Sequence, residues 1–135
     1  MHTVYLGLGS NLGDRERYVA EAVTLLGERV GEVVRQSSLY VTEPWGFDSS
    51  HPFVNAVVCC LTRLSPRQLL DVTQQIEREL GRHHKSCGGV YQDRTMDIDI
   101  LLYDDLRVDE PDLQIPHPLM YEREFVMQPL REIMK

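Results

Sequence analysis

The chain lacks any apolar run approaching the roughly 18 residues that a membrane-spanning helix requires. It also lacks a basic-then-apolar leader, so neither membrane insertion nor export is expected. Positive charge is scarce: 14 Lys and Arg face 21 Asp and Glu, for a net charge of −7. That excludes the broad basic face of a general nucleic-acid or anionic-membrane binder, though not a small anion held by a local basic cluster. Cysteine is sparse too, with three residues, of which Cys59 and Cys60 are neighbours in a strand-like run. Adjacent strand side chains point to opposite faces, so these two are poor partners for each other. They are expected to serve as small apolar residues in a reduced, cytoplasmic protein. Low-complexity tracts and internal repeats are missing as well. What remains, 135 residues at 42% hydrophobic and 26% charged, describes a single domain over residues 1–135. A domain of that size buries an ordinary core without a disulfide or metal staple.

Apolar periodicity orders the elements. Thr3 to Leu8 is predicted as a strand, closed by Gly9-Ser10-Asn11, and about Asp14 to Arg29 as a helix with Tyr18, Ala22, Leu25 and Leu26 inward. Val33 to Thr42 is predicted as extended and Phe53 to Thr62 as a second clear strand, with a Pro-, Gly- and Ser-containing loop, Glu43 to Pro52, between them. Ser65-Pro66-Arg67-Gln68 reads as a helix start, with an N-cap serine, proline in the first turn and a glutamine placed for a capping box. Leu69, Val72, Ile76 and Leu80 give its buried stripe and Gly81 its stop. A polar loop, Arg82 to Asp93, leads into the strand RTMDIDILLYDD, and the tail ends in a short helix from Pro129 to Met134. The order β-α-β-β-α-β predicts an α+β, ferredoxin-like sandwich, an antiparallel sheet with two helices on one face, plus a C-terminal tail. That fold hosts many functions and decides nothing about chemistry.

The strand Arg94 to Asp105 carries the anomaly. Strict alternation puts Ile98, Ile100 and Leu102 on one face, and Leu101 and Tyr103 on the other together with Asp97 and Asp99. Aspartate is among the poorest strand residues. Two carboxylates on one face with Cα atoms about 6–7 Å apart repel each other unless something answers them. A divalent cation such as Mg²⁺ would do so, as would open solvent or pairing with Arg94. Just upstream, RHHKSCGGVYQDR sets Arg82, Lys85 and Arg94 in an otherwise acidic chain, which suits either a polyphosphate or a solvated loop. His83 and His84 lack further ligands at zinc spacing. GLGSNLGD, Gly7 to Asp14, matches neither the dinucleotide nor the P-loop fingerprint and is otherwise a tight, capped turn. Trp45, Phe47, Phe53 and Asn55 could clamp a flat heterocycle or simply fold an aromatic loop onto the core. Ile-Pro-His-Pro, Ile115 to Pro118, is a rigid turn that displays His117.

Together these motifs resemble the 6-hydroxymethyl-7,8-dihydropterin pyrophosphokinase family. The resemblance runs from Leu6-Gly-Leu-Gly-Ser-Asn11 to Pro129-Leu130, and its most specific part is Arg94-Thr-Met-Asp97-Ile-Asp99, supported by Pro116-His117 with Met120 and by Arg123 with Phe125. It implies an enzyme of folate biosynthesis that transfers pyrophosphate from ATP to the pterin alcohol and releases AMP. On that likeness Asp97 and Asp99 hold two Mg²⁺ ions, and Arg82 and Arg94 join them in catalysis. Gln74, Glu77, Arg82, Arg94, Ile98, His117 and Arg123 would line the ATP site. Thr42, Pro44, Trp45, Phe53, Asn55, Tyr91, Asp97 and Phe125 would form the pterin pocket. The implied partners are these small molecules and neither nucleic acid nor membrane, and the implied state is a monomer.

Three positions depart from the family pattern. His84 stands where a second loop arginine is common, Tyr91 where a tryptophan closes over the pterin, and Pro118 where some relatives carry tyrosine. Two rival readings follow from the residues alone: a metal-dependent nucleotidyl- or glycosyltransferase, where D-x-D recurs, and a ferredoxin-like regulatory or RNA-binding module. The RNA version wants a basic surface, which this composition does not supply.

Overall fold

Along β1 (His2–Ser10), Val4, Leu6 and Leu8 alternate with Tyr5, Gly7 and Gly9. The apolar set is fully buried beneath two helices. The computed structural model describes residues 1–11, 13–42, 52–81 and 96–134. β1 sits near the middle of an antiparallel sheet, between β4 (Phe53–Thr62) and β5 (Asp97–Tyr103), with β2 (Gly31–Gln36) and β3 (Tyr40–Thr42) both pairing with β4. The strand order β2-β4-β1-β5 is that of the expected ferredoxin-like sandwich.

Helix α1 (Arg15–Arg29) starts at Asp14, whose side chain accepts the Arg17 N–H, and buries Val19, Ala22 and Leu26 on the sheet. Helix α2 (Pro66–Glu79) starts on the expected capping box: Ser65 accepts the Gln68 N–H at 3.2 Å while Gln68 accepts the Ser65 N–H at 2.9 Å. Leu69, Ile76 and Leu80 are buried with it, and Gly81 follows in the left-handed region (φ +103°). An exposed Arg29–Glu79 ion pair joins the two helices.

Three features differ from the sequence-based expectation. The extended run Val33 to Thr42 is two strands, because Ser37 replaces a ladder partner with its side chain: its N–H donates to Val57 O at 2.9 Å, and its Oγ accepts the Val57 N–H at 2.9 Å. The tail helix is longer than Pro129 to Met134 and runs as α3 (Glu124–Ile133). Pro129 lies inside it and removes the N–H that would bond the Phe125 carbonyl, while Val126, Pro129, Leu130 and Ile133 are buried. α3 covers the second face of the sheet, where Val126, Leu130 and Ile133 meet Val57, Cys59 and Leu101.

The third difference lies in β5. The β1–β5 register shifts between Tyr5 and Leu6, so that Leu6 pairs with Ile100 and Tyr5 with Leu102. The extra residue, Leu101, is a β-bulge. Beyond it the faces exchange, so Tyr103 joins Ile98 and Ile100 in the helix-side core while Leu102 turns to the α3 side. Asp104, with φ +48°, then makes the turn, accepting the Thr3 N–H at 2.7 Å. A hairpin, β6 (Val108–Glu110) and β7 (Leu113–Ile115), follows and leads to a one-turn helix, Met120–Glu122. Cys59 and Cys60 are free and buried, and burial pushes the Cys60 thiol up to about 12.

Candidate active site

Since Ile98 and Ile100 are anchored in the helix-side core, Asp97 and Asp99 are turned to the α3 side, half-buried. The register then places them beside two residues without side chains: Asp97 pairs with Gly9, and Asp99 with Gly7. On the far side of β1, Gly9 pairs with Asn55. One cross-strand row therefore reads Asn55, Gly9, Asp97, and two strand spacings set its outer members about 10 Å apart. Asn55 is 5% exposed and faces the α3 side with Phe53, while Gly9 leaves the ground between Asn55 and Asp97 open. A Cβ at Gly9 would lie 3.1 Å from Asn55 Oδ1 and 3.4 Å from Phe53 Cδ1. Gly9 is thus needed here for space rather than for phosphate.

Two contacts fix the approach to this row. Arg15, in the first turn of α1, donates to Pro52 O at 2.7 Å and so holds the entry to Phe53. On the other flank β3 pairs Tyr40 with Asn55 and Thr42 with Phe53. Phe125 is half-buried in the first turn of α3, and the guanidinium carbon of Arg123, itself 8% exposed, lies 5.6 Å from the Phe125 ring centroid.

A cavity of about 390 Å³ opens beside the aspartates. Gln74 and Glu77 from α2, Asp97, Ile98 and Asp99 from β5, and His117 all line it, which brings together six of the residues singled out in the sequence. Leu70, Ile100, Pro111 to Gln114 and Pro118 complete its wall and were not anticipated. The hairpin could have been found from Leu113 and Ile115 alternating around Gln114, since such a turn must stand next to the Pro-His-Pro segment. Its tip is tied to α2 by Arg67, which pairs with both Glu110 and Asp112.

Glu77 is buried within the cavity wall, and its Oε2 accepts the Ile98 N–H at 2.7 Å. This bond grips the open edge of β5 at the residue between the two aspartates. His117 is held from both directions. Its N–H donates to Leu101 O at 3.1 Å, docking the turn on the bulge, and its Nδ1 accepts the Leu119 N–H at 3.3 Å. Nδ1 is therefore the unprotonated nitrogen, and Nε2 carries the proton, 3.9 Å from Asp99 Oδ1. Burial, and next the Arg123 charge, push His117 below the ordinary histidine range, against the pull of Asp97. At neutral pH the ring is an uncharged donor aimed at the aspartates.

The site fits hard cations in part. Two carboxylates share one face at the cavity mouth and offer oxygen donors, as Mg²⁺ prefers. No cluster of three or more His, Cys, Asp or Glu able to hold a metal occurs among the described residues. Two carboxylates fill only part of an octahedral shell, and Mg²⁺ commonly takes its other ligands from water and substrate phosphates. Arg82, Arg94, Pro44, Trp45 and Tyr91 lie outside the described residues.

Comparison with known proteins identifies the family. Residues 5–135 match the family model described as 7,8-dihydro-6-hydroxymethylpterin-pyrophosphokinase (HPPK). The 2-amino-4-hydroxy-6-hydroxymethyldihydropteridine pyrophosphokinase of Porphyromonas gingivalis is 53% identical over 98% of this chain and 91% of its own length. That of Bacillus subtilis is 46% identical over 96% of this chain and 76% of its own. Among solved structures, an HPPK-DHPS in complex with substrates superposes with a TM-score of 0.72 at 14% identity, covering 98% of this chain and 40% of that one. The wild-type Plasmodium falciparum HPPK-DHPS does so at 0.73 and 16% identity, covering 99% of this chain and 40% of that one. This chain thus spans about two-fifths of those longer proteins, and the likeness to them is one of fold. The chain belongs to the 7,8-dihydro-6-hydroxymethylpterin-pyrophosphokinase family and has its activity, pyrophosphate transfer in folate biosynthesis.

Proposed function

We propose that the row Asn55, Gly9, Asp97 joins two half-sites, a pterin pocket on the Asn55 side and a nucleotide cavity on the aspartate side. Its geometry is the observation that carries the reading. A flat heterocycle over Gly9 meets the Asn55 amide, which both donates and accepts, and the faces of Phe53 and Phe125. Thr42, Pro44, Trp45 and Tyr91 belong to the same pocket on the family resemblance. The substituent of such a ring then points along the row toward Asp97. There the hydroxyl oxygen attacks the β-phosphorus of ATP while the bond from that phosphorus to the α-phosphate oxygen breaks, releasing AMP.

Asp97 and Asp99 are the groups that would hold two Mg²⁺ ions, which when bound neutralise charge on the triphosphate. Gln74, Glu77, Ile98 and His117 line the ATP cavity. His117 donates from Nε2 to a phosphate oxygen, and Arg123, with Arg82 and Arg94 by resemblance, supplies positive charge for a loose transition state. Alignment and charge stabilisation are then the protein's main contributions, and no obvious general base is required: in a loose transition state the hydroxyl gives up its proton late, to water or a phosphate oxygen. The reading takes residues 1–135 as one catalytic domain acting as a cytoplasmic monomer. The reduced, buried Cys59 and Cys60 support that compartment, and no helix among the described residues is long and apolar enough to cross a membrane.

The test is product identification with ATP, Mg²⁺ and 6-hydroxymethyl-7,8-dihydropterin, for the wild type and for Asn55→Ala. AMP formation with an Asn55→Ala KM raised for the pterin alone is expected. An unchanged pterin KM would remove Asn55 from the pocket.

A further inference from the structure

The last turn of α3 grips the strand that frames the proposed pterin pocket. Glu132 accepts the Ser38 N–H at 3.1 and 3.0 Å, the Ser38 hydroxyl at 3.1 Å and the Tyr40 hydroxyl at 2.7 Å. One residue on, the Ile133 carbonyl accepts from Arg35 at 2.9 Å. The same connection is fastened to the sheet from its other side by the reciprocal Ser37–Val57 bonds. Tyr40 then opens β3, where it pairs with Asn55 while Thr42 pairs with Phe53. Glu132 is therefore one side chain away from the strand pairing that aims Asn55 and Phe53. Toward its opposite end, about 10–11 Å away along the axis, the same helix presents Phe125, with Arg123 at its N-cap.

We propose that Glu132 is a positioning residue for the pterin half of the site. It locks β3 to α3 and so fixes the distance between Phe125 on the helix and Phe53 and Asn55 on the sheet. As a carboxylate it accepts on both oxygens, Oε1 from the Ser38 N–H and the Tyr40 hydroxyl and Oε2 from the Ser38 N–H and hydroxyl. A glutamine replaces one of these acceptors with an NH2 donor facing the Ser38 N–H or the Tyr40 hydroxyl. The nucleotide cavity, built from α2, β5 and the hairpin, does not touch this lock. The inference rests on the assignment of the pterin to Asn55 and Phe53.

Glu132→Gln, Tyr40→Phe and Asn55→Ala separate the possibilities, with steady-state KM measured for each substrate and pterin affinity measured by calorimetry in the presence of Mg²⁺ and a non-hydrolysable ATP analogue. Glu132→Gln is expected to raise the pterin KM and Kd roughly tenfold and Tyr40→Phe roughly threefold, with kcat and the ATP KM held within about twofold. An unchanged pterin KM in Glu132→Gln, or an equal rise for both substrates, overturns the proposal. If Glu132→Gln does not fold by circular dichroism, Tyr40→Phe decides on the same two criteria. Should Asn55→Ala leave pterin affinity intact, the pocket assignment fails. An effect in Asn55→Ala without one at Glu132 and Tyr40 defeats this inference alone.

Discussion

The carboxyl group of Glu77 on α2 accepts the backbone N–H of Ile98 on β5, at 2.7 Å in a buried setting. Among the described residues β5 is an edge strand, and its outward N–H groups find no strand partner there. Glu77 satisfies one of them at the residue between Asp97 and Asp99. The pair is thereby mounted on a strand pinned from both sides, by β1 and by a helix side chain.

Removing that acceptor strands a buried N–H. Glu77→Ala is expected to cost about 1–3 kcal/mol of stability and to slow turnover, while Glu77→Gln, which keeps an acceptor oxygen, retains most of both. Urea midpoints and AMP release measured on the same preparations check this. An alanine variant as stable and as active as the wild type would deny Glu77 the role.

His117 is held neutral with Nε2–H directed at Asp99. His117→Ala should lower kcat about a hundredfold, as for loss of one preorganised donor. Pterin affinity should remain unchanged. A drop in pterin binding with kcat preserved would move His117 to the other half-site.

A methyl group at Gly9 presses on the Asn55 amide at 3.1 Å, which must give by a few tenths of an ångström, and touches Phe53 at 3.4 Å. Gly9 has an ordinary backbone conformation, so Gly9→Ala should leave the fold intact and instead raise the pterin KM. Gly7→Ala is the control. Its Cβ would meet only Leu101 side-chain atoms from 3.5 Å, an ordinary contact. Equal effects on pterin KM from the two substitutions would contradict the role given to Gly9.

Asp104 makes the turn after β5, and its carboxylate is held below the usual range, first by the Thr3 N–H and then by His2. A depressed carboxylate contributes stability that is present above its ordinary value of 3.8 and is lost as the pH falls through its folded value. Asp104→Asn keeps the tolerance for positive φ and should flatten the acid limb of the stability curve. Urea midpoints across the acid range report this, and an acid limb as steep as the wild type's would place the titration elsewhere.

Local signals were legible in the sequence and tertiary ones were not. The Ser65–Gln68 capping box and the Gly81 stop depend on residues within one helical turn, so they could be read directly. The bulge at Leu101 could not, because DIDILLY alternates acceptably in either register and only pairing with β1 inserts the extra residue. That bulge is what sends Tyr103 to the helix-side core and gives the Pro-His-Pro turn a carbonyl to dock on. The two aspartates were visible as an anomaly because carboxylates are out of place in such a strand. Their grip by Glu77 was hidden, since a glutamate on a helix reads as solvated until its neighbours are known. α3 extended past its expected start because Phe125 and Val126 find the sheet's second face, which local propensity at Pro129 does not register.

Asp97 and Asp99 carry the central claim, and Mg²⁺-dependent AMP formation from ATP and the pterin alcohol tests it most directly. Asp97→Ala and Asp99→Ala, each verified as folded by circular dichroism, should lose nearly all turnover at any Mg²⁺ concentration. Wild-type-like AMP formation in either variant would contradict the assignment of this pair as the metal-binding centre.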